Sequence, residues 1–161
     1  MSIETQVYQA AIKNGMPAPL AALITAQSKH ESSNYTSNVF LKNNNLFGYK
    51  YAGQKIATRG TPAPSSEGIN GAYAKYANIG LSVQELTDWI KRRQKEKKFP
   101  TDLKIITSPE LYASLLKTAG YYGASVTQYI TGLKRFLNDN LPAAGISAAA
   151  LAAIATGVFF C

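Results

Sequence analysis

One cysteine and one histidine are all that this 161-residue chain holds of either, and the cysteine, Cys161, is the last residue. A lone cysteine closes no internal disulfide, so stability must come from packing. The pair is also too few for a structural zinc site, and no cofactor is expected. Acidic side chains are scarce too: nine Asp and Glu face 17 Lys and Arg, for a net charge of +8. Such an excess draws polyanions over long range, but charge alone does not choose among nucleic acid, anionic lipid and acidic wall polymers. The start, Met1-Ser2-Ile3-Glu4-Thr5-Gln6, lacks the basic-then-apolar layout of a secretory signal. No internal repeat is visible, and no charge occurs from Asn140 to Cys161.

What is present fits a globular chain, with 46% hydrophobic and 16% charged residues and a length suited to one domain. Helical periods dominate. Ile3, Val7, Ala10 and Ala11 form one, ended by Gly15; Pro17 and Pro19 open a second. Ser82 and Glu85 read as a capping box before Val83, Leu86, Trp89 and Ile90. Ser108-Pro109 starts a helix closed by Gly120, and Val126, Tyr129, Ile130, Leu133, Phe136 and Leu137 mark a last one to about Asn138. Residues 43–78 are rich in Asn, Gly, Pro, Ser and Tyr without a sustained period, and read as a long irregular insertion or small β-hairpin lobe. The expected architecture is mainly α, a domain over 1–140 followed by a hydrophobic segment over 141–161. That segment reads either as a docked helix or tail, or as a membrane anchor of nearly sufficient length.

The second helix carries the most informative residue. Leu20, Leu23, Ile24, Gln27 and Glu31 fall near one face, so a buried stripe ends in an amide and a carboxylate. A helix C-terminus and partial burial both disfavour the charged form, raising the Glu31 pKa as a general acid requires. The same pattern also fits a carboxylate left on solvent at a fraying end.

Gln27-Ser28-Lys29-His30-Glu31-Ser32-Ser33-Asn34-Tyr35-Thr36-Ser37 resembles the signature of the bacterial glucosaminidases (glycoside hydrolase family 73). In that signature a glutamine precedes the catalytic glutamate by four residues and Ser-Gly usually follows. Here Ser33 stands where the family has Gly, and Asn34 where it has an aromatic residue. Asn44-Asn45-Leu46-Phe47-Gly48-Tyr49-Lys50, then Ala74-Lys75-Tyr76-Ala77-Asn78, then Ala119-Gly120-Tyr121 are similar to later family blocks, in the family's order.

The resemblance implies a lysozyme-like helical domain that hydrolyses peptidoglycan next to N-acetylglucosamine. It implies Glu31 as general acid and Tyr121 as an active-site tyrosine that orients Glu31 or the substrate's acetamido group. It gives Gln27, Asn45, Phe47, Gly48 and Tyr76 as substrate-binding residues, Asn45 and Gly48 fitting a tight turn equally well. Glu67, the only acidic residue between Glu31 and Glu85, is the candidate second carboxylate. Without it, the substrate's own acetamido oxygen would serve. His30 points away from Glu31 and reads as a rim or packing residue, not a base. Lys91, Arg92, Arg93, Lys95, Lys97 and Lys98 read as a solvated basic face, or as an electrostatic anchor to anionic wall, nucleic acid or lipid headgroups. The expected partner is bacterial peptidoglycan, with no specific nucleic acid and with the tail as a possible membrane contact. The expected setting is a phage virion or the host envelope. Lytic transglycosylation and a non-catalytic wall-binding module are the competing readings.

Overall fold

The computed structural model describes residues 1–64 and 71–138. Glu67 and the hydrophobic segment 141–161 lie outside the described residues. Helices dominate: α1 (Ile3–Lys13), α2 (Ala18–Glu31), α3 (Asn38–Asn43), α4 (Ile79–Lys95), α5 (Pro109–Thr118) and α6 (Val126–Asn138). Strands β1 (Thr58–Pro62) and β2 (Ala72–Lys75) form an antiparallel hairpin between α3 and α4. No helix among the described residues is long and apolar enough to cross a membrane.

Local chemistry sets the boundaries. The Ser2 hydroxyl caps α1 by accepting from the Thr5 N–H at 3.2 Å. Gly15, at φ +90°, ends it with the Met16 N–H bonded back to the Ala11 carbonyl. Pro17 and Pro19 open α2 as expected, and Ser108 caps α5. The start of α4 differs from the sequence expectation. The helix begins a turn earlier, at Ile79, with the Asn78 side chain accepting from the Leu81 N–H at 3.0 Å. Ser82 and Glu85 are therefore interior helix residues, both buried, and no capping box forms. Their polar groups tie other segments: Ser82 Oγ accepts from the Leu46 N–H, and Glu85 Oε1 accepts from Gln54 and the Tyr76 hydroxyl.

Helix α2 runs through the middle, packed by α1 and α6, while α1 also packs on α4 and α5 on α6. Every residue from Leu20 to Lys29 is buried, so the single apolar stripe of the sequence reading was too narrow. Ala21, Ala22, Thr25, Ala26 and Ser28 keep the other faces thin enough for neighbours to approach. The buried Lys29 ammonium is matched by Glu4 of α1 at 3.0 Å. Burial pushes the Glu4 carboxyl up, but the Lys29 hydrogen bond and charge more than reverse this, leaving it below the ordinary range.

The hairpin lobe hangs on three consecutive asparagines at the end of α3. Asn43 accepts from the Thr61 N–H at 3.1 Å and donates to the Thr61 hydroxyl at 2.8 Å. Asn44 donates to the Tyr76 carbonyl at 2.9 Å. Asn45 donates to the carbonyls of Tyr49 and Ala74 and accepts from the N–H groups of Gly48 and Tyr49.

Helix α6 approaches α2 where Gly132 meets the His30 ring. A Cβ at Gly132 would sit 2.2 Å from His30 Nδ1, far inside contact distance. Gly132→Ala would gain about 1 kcal/mol of helix propensity, against an overpacking cost of about 1–3 kcal/mol. Because the His30 ring is edge-on to Tyr129 at 4.9 Å, it has little room to retreat. Thermal denaturation should show a lower Tm for Gly132→Ala and recovery on adding His30→Ala. A raised Tm in the single variant would mean that the ring swings out freely.

Candidate active site

Since α2 is buried from Leu20 to Lys29, it meets solvent at its two ends, and Glu31 is its last residue. The carboxylate is half-buried, and Oε1 accepts from the Tyr129 hydroxyl of α6 at 2.6 Å. Burial pushes the Glu31 carboxyl up from its ordinary value of 4.5, and the Tyr129 hydrogen bond offsets part of that. Tyr129 is itself held as a neutral phenol by burial and by the Glu31 charge, so it remains a donor. The Tyr129 ring is fixed by Tyr122, stacked on it at 4.0 Å between centroids, and by His30. His30 is thus a packing residue, and burial lowers its pKa.

Two adjoining cavities share Glu31. One, of about 320 Å³, is lined by Tyr49, Trp89, Gly120, Tyr121 and Tyr122 together with Glu31, Phe47, Gly48 and Lys50. The other, of about 300 Å³, shares those last four residues and adds Ser37, Val39, Asn45 and Tyr73. They form a groove with the carboxylate at its middle, one wall aromatic and the other drawn from α3 and the hairpin. Among the described lining residues Glu31 is the only acid.

The residues singled out from sequence are distributed as follows. Glu31, Asn45, Phe47, Gly48 and Tyr121 line the groove. Asn45 is nearly inaccessible, its amide consumed by the turn that shapes the floor. Gly48 adopts φ +74° in that turn, a conformation that disfavours side chains. Gln27 is fully buried and lines neither cavity; its Oε1 accepts from the Tyr112 hydroxyl at 2.5 Å, tying α5 to α2. Tyr76 is also outside the groove, with its hydroxyl on Glu85 at 3.0 Å. The Tyr121 ring packs on Trp89 at 5.3 Å, and its buried hydroxyl has no hydrogen-bond partner among the described residues. Tyr49, beside it, carries a second unpartnered buried hydroxyl. The phenol bonded to Glu31 is therefore Tyr129 and not Tyr121. Sequence reasoning placed Tyr129 only on an apolar helix face. The basic run is largely exposed along the end of α4, where Arg93 pairs with Glu96 at 2.8 Å and lies 5.2 Å over the Trp89 ring.

The chain leaves Glu31 through an unusual turn. Ser33, Asn34 and Tyr35 all have positive φ, at 52°, 56° and 65°. The Asn34 N–H bonds back to the Lys29 carbonyl at 2.8 Å, so Ser33 occupies the left-handed position after the helix end that glycine usually fills. Tyr35 is held there by the Ser32 hydroxyl on its N–H, by Ser28 on its hydroxyl and by the Phe40 ring. The turn swings Ser37 and Val39 round to face the groove.

A half-buried protonatable carboxyl in an open groove, oriented by a phenol and flanked by aromatic rings, has the parts that general-acid cleavage of a glycoside calls for. The glucosaminidase family model, described as mannosyl-glycoprotein endo-beta-N-acetylglucosaminidase, matches residues 4–141, and the chain belongs to that family. It is a glycoside hydrolase of the peptidoglycan-hydrolysing kind. No curated protein and no solved structure gives a significant match.

Two outcomes follow from this geometry. Ser33→Gly should raise stability by about 1 kcal/mol by relieving the left-handed serine, measured by denaturant titration; an unchanged or lower midpoint would mean the turn is not strained at Ser33. Glu31→Gln should stabilise the fold in a pH-dependent way. Below pH 4.5 the carboxyl is protonated in both folded and unfolded chains, so the variant and wild type should match. Above it the unfolded chain ionises first, and wild type loses stability until the folded carboxyl has also titrated. The Tm gap should therefore open as pH rises through that window. A gap independent of pH would contradict the raised pKa.

Proposed function

We propose that the protein cleaves the glycan strand of peptidoglycan at N-acetylglucosamine, with Glu31 as the general acid. The observation that carries this reading is the position of Glu31. It is the one carboxylate shared by both halves of the groove among the described residues, and burial raises its proton affinity above that of an ordinary carboxyl. A glycan laid along the groove places one sugar in each half and the bridging oxygen at the junction, beside Glu31. As the bond between anomeric carbon and bridging oxygen breaks, the Glu31 proton passes to that oxygen and the departing sugar leaves as an alcohol. Tyr129 positions Glu31 and stabilises the carboxylate that remains. Trp89, Tyr121 and Tyr122 line one half, and the ring edges left free by their mutual packing give it apolar surface for the C–H patches of a pyranose.

The oxocarbenium-like centre is then met from the opposite face. Either water activated by Glu67 attacks, or the substrate's own acetamido oxygen closes onto the anomeric carbon before water opens the ring. The first inverts and the second retains the anomeric configuration, so the anomer first released separates them.

With purified walls, wild type should release fragments ending in a reducing N-acetylglucosamine by mass spectrometry. Glu31→Gln should lose about 10²- to 10⁴-fold in rate, as expected for removing a general acid, while still binding walls. Fragments ending in reducing muramic acid would move the cleaved bond to the neighbouring linkage. Fragments with a 1,6-anhydro end would make the enzyme a transglycosylase. Walls left intact by wild type would leave only the binding-module reading.

A further inference from the structure

Lys50 is the one cationic residue among the described lining of the groove, and like Glu31 it faces both halves. Its side chain is exposed and forms no ion pair with the carboxylates of the described residues, whereas Arg93 nearby is committed to Glu96 and the Trp89 ring. Its backbone is nonetheless fixed. Lys50 bridges Tyr73 of β2, and its carbonyl accepts from Gln54 Nε2 at 3.1 Å. The same Gln54 nitrogen donates to the buried Glu85 of α4 at 2.7 Å, so the segment that presents Lys50 is anchored to the helical frame. The floor beneath it is the Asn45 turn, with Gly48 and Tyr49 bonded to one amide oxygen. A flexible ammonium on a rigid base, next to the general acid, serves to capture an anion.

Resting on the glycan reading above, we infer that Lys50 is a specificity residue that binds a carboxylate carried by the sugar on the leaving side of the scissile bond. The chemistry of the strand supplies one there. Each muramic acid bears a lactyl ether on O3, one carbon from the O4 that Glu31 protonates when the strand is cut after N-acetylglucosamine. In strands stripped of peptide the lactyl group ends in a free carboxylate; in intact strands the first free carboxylates belong to the peptide stem. Either would meet Lys50 as a charge-assisted hydrogen bond, and a strand of neutral sugars offers no such partner. The enzyme would thus separate wall glycan from neutral chitin-like glycan by one charge.

The test is binding in the Glu31→Gln background, so that strands are not consumed, comparing Lys50 with Lys50→Met and Lys50→Arg. Three ligands are used: intact strands, strands freed of peptide by an amidase, and the freed strands with their lactyl carboxylates converted to methyl amides. Lys50→Met should weaken binding of at least one acid-bearing ligand by about three- to tenfold, the range of one charge-assisted contact at a partly exposed site. It should leave the amidated strands unaffected, and Lys50→Arg should retain most of the affinity. The loss should shrink with added salt. Loss on the freed strands assigns the lactyl carboxylate; loss confined to intact strands assigns the stem. An equal effect on all three ligands, or none on any, overturns the inference even if wild type cuts walls normally. A protein that neither binds strands nor cuts walls overturns the glycan reading and the role of Lys50 with it.

Discussion

A helix buried on all sides can offer a polar group to the outside only at its tip, and this constraint organises the molecule. Because α2 is sheathed by its neighbours from Leu20 to Lys29, the Glu31 carboxyl at its end meets water only in part. Its half-burial raises the proton affinity, and the phenol from α6 keeps the group in one orientation. The turn after Glu31 must reverse the chain within a few residues to clear the core. It does so through three left-handed residues, at an energetic cost that the Ser28, Ser32 and Tyr35 hydrogen bonds offset.

The second wall of the groove depends on polar groups rather than apolar mass. Asn43, Asn44 and Asn45 each take up backbone groups of the hairpin lobe, while Ser82 and Glu85 hold the same lobe from α4. Such networks specify geometry sharply when every member is satisfied and fail together when one is lost. The arrangement suits a lobe that has little hydrophobic core of its own but must hold Phe47, Gly48 and Lys50 at fixed depth beside the acid.

Much of this was readable from the chain. Helix caps and proline positions located α1, α2 and α5, and the apolar period of α6 was clear because nothing competed with it. A long irregular insertion or small hairpin was expected within 43–78, and spacing put Glu31 at the end of the buried face of α2, while its choice as the general acid came from the family-like residues around it. Other features escaped because their signals are tertiary. Ser82 and Glu85 carry the local grammar of a cap, yet Asn78 starts the helix and both residues serve distant partners. Gln27 sits on the face that leads to Glu31, but Tyr112 fills the space beyond it. Short α3 had no period to announce it. Tyr129 looked like one more apolar helix residue, since nothing local shows that its hydroxyl ends on a carboxylate 98 positions away.

The only tryptophan of the chain, Trp89, is built into the aromatic wall, between the rings of Phe99 and Tyr121 and beneath the Arg93 guanidinium. An indole so placed emits from the groove itself. Its fluorescence is a label-free optical gauge of occupancy, undiluted by signal from any second indole elsewhere in the molecule.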